Sequence, residues 1–116
     1  MIQNSTYELE EVTLIAGTYT SIEFSVFDET DNTLAEISEY DVSCLVSYLS
    51  QPNEVILEKV GAKTSQGKYI ITFDSLDTID LNGRYTYQPL LSVVVLGEIR
   101  QYRPAQGILN IISAIK

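Results

Sequence analysis

Apolar and polar residues alternate with a period of two along most of this chain, whereas helical periodicity is nearly missing. The alternation is clearest in residues 18–27, 41–49 and 68–73. Because successive side chains of a strand point to opposite faces, this pattern predicts strands with one buried face each. The predicted inward positions are Thr20, Ile22, Phe24 and Val26 in the first segment, Val42, Cys44, Val46 and Tyr48 in the second, and Tyr69, Ile71 and Phe73 in the third.

Short strands follow one another at intervals of about 8 to 12 residues, which is typical of a β-sandwich. A single helical turn across the end of the sandwich is predicted within residues 74–82, where Leu76, Ile79 and Leu81 have helical spacing. Residues 61–67 are predicted as a loop. No linker, internal repeat or low-complexity segment divides the chain, so residues 1–116 are expected to form one all-β domain of seven to nine antiparallel strands. The predicted strands are 7–15, 18–27, 33–37, 41–49, 54–60, 68–73, 84–96 and 99–112, the last broken near 104–107.

The motif Gly83-x-Tyr85-x-Tyr87 stands at the start of the longest predicted strand. In β-sandwiches a tyrosine in this position bonds through its hydroxyl to the backbone just upstream and so fixes the corner. Gly97 is expected in a hairpin turn and Gly107 at a bulge, where a missing Cβ reduces strain. Pro89 is expected at an edge or a bulge, because it cannot donate to a strand ladder.

Composition limits the class of protein. The chain has 116 residues, 45% of them apolar, which suits one globular domain. No apolar run approaches the roughly 18 to 20 residues that cross a bilayer, so no membrane contact is expected. Residues 1–6 have neither the positive nor the apolar part of a secretory signal. The lone Cys44 cannot form an internal disulfide, and we expect it to be a buried residue of a strand.

The charge of the chain argues against one class of partner, and its uneven distribution has two possible interpretations. The net charge of −9 argues against nucleic acid, which requires a basic surface. Up to Glu58 the chain has twelve acidic residues and no basic one; the remainder has seven basic and four acidic residues, so the two parts carry −12 and +3. This asymmetry indicates either electrostatic pairing with neighbouring subunits or a solubilising acidic face.

Neither a catalytic nor a cofactor site is expected. The chain lacks histidine, the commonest general base, and tryptophan, which often stacks on sugars. Two acidic groups are candidate Ca²⁺ ligands, but a solvated turn is favoured for the first and helix capping for the second. No metal or cofactor is therefore predicted, and the protein is not expected to be an enzyme. The two groups are Asp28, Glu29, Asp31 and Asn32, and Asp74, Asp77 and Asp80.

The end of the chain holds the predicted interaction residues. Arg100, Tyr102 and Arg103 form an arginine and tyrosine cluster of the kind that anchors interfaces, although charge can also protect an edge strand. The run from Ile108 to Ile115 is more apolar than alternation requires, so one of its faces is expected to need a partner or a covering loop. The candidate interface residues are Arg100, Tyr102, Arg103, Ile111, Ile112 and Ile115.

Several of these motifs together resemble small immunoglobulin-like modules of tailed-phage virion proteins. The resemblance rests on Gly83-x-Tyr85-x-Tyr87, Gly97-Glu98-x-Arg100 and Gly107-x-Leu109-x-Ile111, and it covers roughly residues 17–112. The segments 22–28, 32–37 and 65–73, which precede these motifs, also resemble the corresponding parts of the modules. The chain departs from the family at Gln88, where Asp is frequent, and at Asp31-Asn32, where the modules often have Gly.

The resemblance implies an immunoglobulin-like β-sandwich that acts as a non-catalytic building block of a virion. Its location would be the virion, after synthesis in the host cytoplasm, as a capsid accessory, neck, tail or baseplate component. Its partners would be other virion proteins or copies of itself. The alternatives are a module that binds a host-surface polysaccharide and an adhesin domain. Since fold alone does not establish function, these remain expectations here.

Overall fold

The structure is a computed structural model that describes residues 7–28 and 33–113, with the backbone alone for residues 7 and 8. Strands occupy most of these residues, and the all-β prediction is confirmed. The strands are β1 (Tyr7–Glu8), β2 (Val12–Ile15), β3 (Thr20–Ser25), β4 (Phe27–Asp28), β5 (Thr33–Leu34), β6 (Asp41–Tyr48), β7 (Gln51–Val60), β8 (Ala62–Ser65), β9 (Lys68–Phe73), β10 (Gly83–Val95), β11 (Glu98–Tyr102) and β12 (Ala105–Ile112), with one short helix, α1 (Ser75–Thr78).

Two sheets form the sandwich. The larger sheet has the order β12-β10-β6-β7, with β1 and β2 parallel to β12 and with β11 paired to the second half of β10. The smaller sheet has the order β3-β9-β8, and β4 and β5 form a separate hairpin. In the strand letters of immunoglobulin domains these orders correspond to G-F-C-C′ and B-E-D. The topology is thus the one that immunoglobulin-type sandwiches use.

The core lies between the two sheets and consists mostly of the predicted inward faces. Tyr48, also predicted to face inward, is instead 43% exposed, at the end of β6 where its register with β7 shifts. Tyr69, Ile71 and Phe73 of β9 are completely buried against Cys44 and Val46 of β6. The Phe24 ring joins the two sheets, since its centroid lies 5.3 Å from that of Tyr69 and 6.1 Å from that of Tyr87. Burying a side chain such as Phe73 contributes about 1.5–3 kcal/mol. With Cys44 as the single cysteine, and buried, this packing has no disulfide to support it.

The predicted tyrosine corner is present and belongs to Tyr85. Its hydroxyl donates to the Asn82 carbonyl oxygen at 3.1 Å and accepts from the Asn82 N–H at 3.2 Å. Tyr87 has a different task, because its hydroxyl donates to the Glu10 carbonyl oxygen at 2.6 Å and so ties the first part of the chain to the sheet. One motif therefore fixes both a corner and an edge of the sandwich.

Gly107 does not occupy a bulge, contrary to the prediction. It pairs in regular register with Tyr87, and a Cβ at Gly107 would lie 2.7 Å from a ring carbon of that tyrosine. Glycine is needed there because the Tyr87 ring lies over the β12 backbone. The bulge itself precedes Gly107, since residues 88–90 of β10 face the longer segment 103–106 between their two paired neighbours.

Pro89 lies in a central strand and faces the bulge of segment 103–106, which agrees with the prediction of an edge or a bulge. It pairs with Cys44 on the β6 side, but on its other side β12 has ended and β11 has not begun. The missing N–H of proline therefore removes no bond from the ladder on that side. The break in the return strand, at Arg103 and Pro104, is what makes a central proline acceptable.

The predicted helical turn forms, and its acidic residues cap it. Asp74 is the N-cap and accepts from the Leu76 N–H, while the Asp77 carboxylate accepts from the Asp74 N–H at 2.8 Å. This reciprocal arrangement is a capping box. Thr78 is fully buried, and its hydroxyl accepts from the Gly17 N–H at 3.0 Å. Leu76, predicted on the same helical turn, is instead 81% exposed.

Two further segments differ from the predicted elements. Residues 62–65, expected in a loop, form β8, an exposed edge strand of the smaller sheet. Strand β7 begins at Gln51 rather than at 54 and includes Pro52, which is tolerated because β7 is also an edge. Edge strands carry little apolar alternation, so periodicity does not find them.

Candidate interaction surfaces

A long hairpin extends from the larger sheet. β10 pairs with β6 as far as Ser92, and from Val93 to Val95 it has only β11 as its partner. We call residues 93–100 the hairpin tip. Val94 and Ile99 face each other across it and are largely exposed. The tip is therefore a narrow two-stranded projection with apolar residues on one face.

Leu96 occupies an unfavourable place in this tip. Residues 96 and 97 form the two-residue loop, with φ of 52° at Leu96 and 80° at Gly97. Such a loop needs a positive φ at both positions, which favours Asn-Gly. A left-handed conformation costs a non-glycine residue about 1–2 kcal/mol. Leu96 is also 97% exposed, so no contact within the described residues offsets this strain.

The three polar interface candidates have different surroundings. Arg100 is exposed on the tip, on the opposite face from Ile99, and has no ion-pair partner among residues 7–28 and 33–113. Tyr102 is half-buried, and its ring meets the Tyr40 ring edge-on with centroids 6.2 Å apart. Arg103 is exposed but already interacts within the chain. Of these three, Arg100 is the exposed residue without an ion-pair partner among residues 7–28 and 33–113.

The C-terminal candidates also separate. Ile111 is only 1% exposed and belongs to the core, so the prediction that it lies on an interaction surface is wrong. Its neighbour Ile112 points the other way, is about half exposed and pairs with Ile15 of β2. The reason is the strand alternation, which buries every second residue of β12. Ile115 lies outside the described residues.

A second exposed apolar group lies around α1, and we call it the end patch: Ile15, Tyr19, Leu76, Ile79 and Ile112. The turn after β2 joins its parts. The Ala16 N–H donates to the Ile112 carbonyl oxygen, and Gly17 lies next to Ile79. Leu76 and Ile79, three residues apart in a helical turn, share a face. The sequence predicted the helical turn across the end of the sandwich but not the exposure of its apolar residues.

Some of the basic residues that follow Glu58 form ion pairs within the chain. Arg84 donates to the Glu11 carboxylate at 2.9 Å, and Lys59 contacts the Asp77 carboxylate at 2.9 Å. Burial opposes ionisation of Asp77, but the bonds from Lys59 and from the Asp74 backbone keep its pKa below the usual value. Two of the cations predicted to face neighbours are thus already neutralised within the protein.

Cys44 fulfils the structural role predicted for it. It is completely buried in β6, and burial raises the pKa of its thiol to about 12. The thiolate, which is the reactive form, is therefore almost unpopulated at neutral pH. Cys44 is a packing residue rather than a nucleophile.

One depression of about 330 Å³ lies beside the β8 edge. Lys63 closes one side of it by donating to the Ser38 carbonyl oxygen at 2.9 Å. None of its lining residues is aromatic, so it lacks a platform for stacking a sugar ring. The lining residues are Glu36, Ile37, Ser38, Lys63, Thr64, Ser65 and Gln66.

The remaining candidate sites were the acidic groups. Asp74 and Asp77 act in the capping box, which confirms the capping interpretation. Of the other group only Asp28 lies within the described residues. Over residues 7–28 and 33–113, no three Cys, Asp or Glu side chains converge in a way that could hold a metal ion. In the same ranges α1 is the sole helix, and its four residues cannot span a bilayer.

Comparison with models of protein families and with curated proteins finds no match to this chain.

Proposed function

We propose that this protein is a non-catalytic structural component of a tailed-phage virion, which acts through contacts with neighbouring subunits. The observation that carries the proposal is the corner motif. Gly83-x-Tyr85-x-Tyr87, on which the resemblance to virion modules rests, forms a tyrosine corner in a sandwich with immunoglobulin-type strand order. A structural subunit needs a rigid frame that presents surfaces, and this fold supplies one.

The exposed residues support the same proposal. The hairpin tip and the end patch present large apolar side chains to solvent in a protein of 116 residues. Grouped apolar residues on a surface mark contact sites more often than chance exposure does. The described depression, which has no aromatic lining, favours protein contacts over the alternative of a polysaccharide site.

The test is whether the protein belongs to particles. An antibody raised against the purified protein is used to probe virions of the phage that encodes it, purified by gradient centrifugation. We expect the protein to co-sediment with particles at a fixed copy number and to be labelled at one location. Particles of normal composition that lack the protein would contradict the proposal. Binding to host-surface polysaccharide without particle association would instead favour the alternative.

A matched pair of variants tests whether surface contacts hold the protein on the particle. Arg100→Glu reverses an exposed charge on the hairpin tip, and Lys68→Glu reverses a half-buried charge on the smaller sheet. We expect Arg100→Glu to reduce incorporation, most strongly at low salt, because exposed charges are screened over about 8 Å at physiological ionic strength. Lys68→Glu should incorporate normally. Equal incorporation of both variants would show that the tip makes no contact in the particle.

A further inference from the structure

We propose that Asn82 and Gly83 form a site of spontaneous backbone rearrangement, and that the tyrosine corner sets its rate. Among the five asparagines of the chain, Asn82 alone is followed by glycine. Asparagine is a chemically labile residue. Its lability is greatest before glycine, because no side chain then hinders attack by the next backbone nitrogen. The inference goes beyond the proposed function and does not depend on it.

The chemistry needs only the chain and water. The Gly83 nitrogen attacks Cγ of the Asn82 side chain and closes a succinimide ring, while its proton passes through solvent to Nδ2, which leaves as ammonia. Water then opens the ring at one of its two carbonyl carbons. Attack at Cγ leaves an aspartate in a normal backbone, whereas attack at the α-carbonyl carbon leaves an isoaspartate, whose backbone runs through Cγ. Both products carry a carboxylate in place of the neutral amide, and nothing is oxidised or reduced.

The structure leaves both reacting groups open to water. Asn82 is exposed, and its side-chain amide has no hydrogen-bond partner among residues 7–28 and 33–113. A Cβ at Gly83 would meet no atom within 4 Å, so open space adjoins the attacking nitrogen. Neither burial nor a side-chain hydrogen bond therefore protects the Asn82 amide.

The backbone of Asn82 is restrained by Tyr85 instead. The Tyr85 hydroxyl donates to the Asn82 carbonyl oxygen at 3.1 Å and accepts from its N–H at 3.2 Å, and Gly83 pairs with Ile111 in the sheet. Ring closure requires rotation about the backbone and side-chain bonds of Asn82, which these contacts oppose. Rearrangement is therefore confined to molecules in which the corner has opened. Because opening and closing are much faster than the chemistry, the rate follows the population of open corners.

Formation of isoaspartate prevents the corner from closing again. The carbonyl that accepts from the Tyr85 hydroxyl becomes a free carboxylate outside the backbone, and the backbone gains a methylene carbon before Gly83. The new charge adds to the net charge of −9, close to the exposed Asp80. The site is thus an irreversible switch from a closed to an open corner.

Mass spectrometry of the folded protein, sampled during incubation in mildly alkaline buffer, tests the proposal. Conversion raises the mass of the peptide that contains Asn82 by one dalton, and an isoaspartate methyltransferase labels the rearranged product. Tyr85→Phe should convert about fivefold faster than wild type, because loss of one hydrogen bond raises the open population by about this factor. Asn53 and Asn110, which larger residues follow, are internal controls and should stay intact over the same period.

Tyr87→Phe is the matched control variant. It removes a hydroxyl from the same strand and loses the bond to the Glu10 carbonyl oxygen, but it leaves the corner in place. Its conversion rate should stay near that of wild type, although its denaturant midpoint should fall about as far as that of Tyr85→Phe. The comparison separates opening of the corner from a general loss of stability.

The converted protein gives a second readout. Its isoaspartate form, separated by anion exchange, should unfold at a lower denaturant midpoint than Asn82→Asp, which carries the same new charge on a normal backbone.

Three results would overturn the inference. If Asn82 stays intact in Tyr85→Phe, the site does not rearrange. Equal rates for Tyr85→Phe and Tyr87→Phe would show that the corner does not set the rate. An isoaspartate form as stable as Asn82→Asp would show that the corner still closes. None of these results bears on whether the protein is found in particles.

Discussion

Two tyrosines of one motif each fix a different part of the fold through the side-chain hydroxyl. Tyr85 closes the corner through Asn82, three residues upstream, and Tyr87 holds the distant Glu10 carbonyl. Burial, with Cys44 and Glu10 nearby, raises the pKa of Tyr87 to about 12. The Tyr87 hydroxyl therefore remains protonated, as a donor must be, throughout the physiological range.

Removing the Tyr85 hydroxyl tests the corner. Tyr85→Phe should lower the free energy of unfolding by about 1 kcal/mol, the usual net value of a hydrogen bond. Tyr85→Ala should lower it by about 3–5 kcal/mol, because the buried ring is lost as well. Denaturant midpoints measure both effects. Tyr19→Phe, at an exposed tyrosine, is the control and should leave the midpoint unchanged.

A substitution at Gly107 tests whether the Tyr87 ring lies against the β12 backbone. Gly107→Ala places a methyl group 2.7 Å from a ring carbon and should destabilise the fold by about 1–3 kcal/mol. In the background of Tyr87→Ala the same substitution should cost much less, since the opposing ring is gone. A double-mutant cycle of unfolding free energies gives the coupling. Additive effects would show that the ring is not the reason for the glycine.

At the scale of elements, the short helix α1 is stable only through its caps and contacts. Four residues cannot sustain a helix by propensity. The capping box of Asp74 and Asp77, the Lys59 ion pair and the buried Thr78 hold it against the end of the sandwich. These contacts also keep Leu76 and Ile79 directed outward.

The capping box makes a defined contribution to pH dependence. The pKa of Asp77 is lowered by folding, so its stabilisation is present above the pKa of the unfolded chain, near 3.8, and is lost as the pH falls through the folded value. Asp77→Asn should destabilise by about 0.5–1 kcal/mol between pH 5 and 7, and the difference from wild type should shrink as the pH falls below 3.8 and vanish below the folded pKa. Denaturant titrations at several pH values measure this difference in the free energy of unfolding. Asp80→Asn, at an exposed aspartate outside the capping box, is the control.

At the scale of the whole molecule, electrostatic repulsion competes with packing. The net charge of −9 is only partly balanced within the described chain by pairs such as Arg84 with Glu11. Exposed ion pairs contribute little, typically below about 1 kcal/mol each. The repulsion between the remaining carboxylates should therefore dominate the response of stability to salt.

Salt should stabilise this protein. Raising sodium chloride from about 10 to 200 mM shortens the Debye length from about 30 to 7 Å and screens the repulsion. The melting temperature should rise by a few degrees. Repeating the scan with Arg84→Gln, which removes one ion pair, should give a steeper rise. A melting temperature that falls with salt would show that the ion pairs outweigh the repulsion.

Much of the fold follows from the sequence alone. A period of two identified β3, β6 and β9, and it identified the buried faces of β3 and β9, because burial of one sheet face leaves a direct trace in the alternation. It did not show that β6 is buried on both faces. Gly83-x-Tyr85-x-Tyr87 identified the corner, and Asp74 with Asp77 identified the caps, because these bonds form between residues only two or three positions apart. Local geometry can be read from local sequence.

The tertiary structure decided the rest. The contact of Gly107 with Tyr87, the site of Pro89 and the burial of Ile111 depend on which distant strand lies alongside. The edge strand β8 has no buried face and so leaves no periodic trace. The surfaces also depend on tertiary structure: the spacing of Leu76 predicts a helical turn but not its exposure, and nothing in the sequence marks Leu96 until its φ and its exposure are known. Exposure depends on contacts between residues that are far apart in the chain, and no local pattern records them.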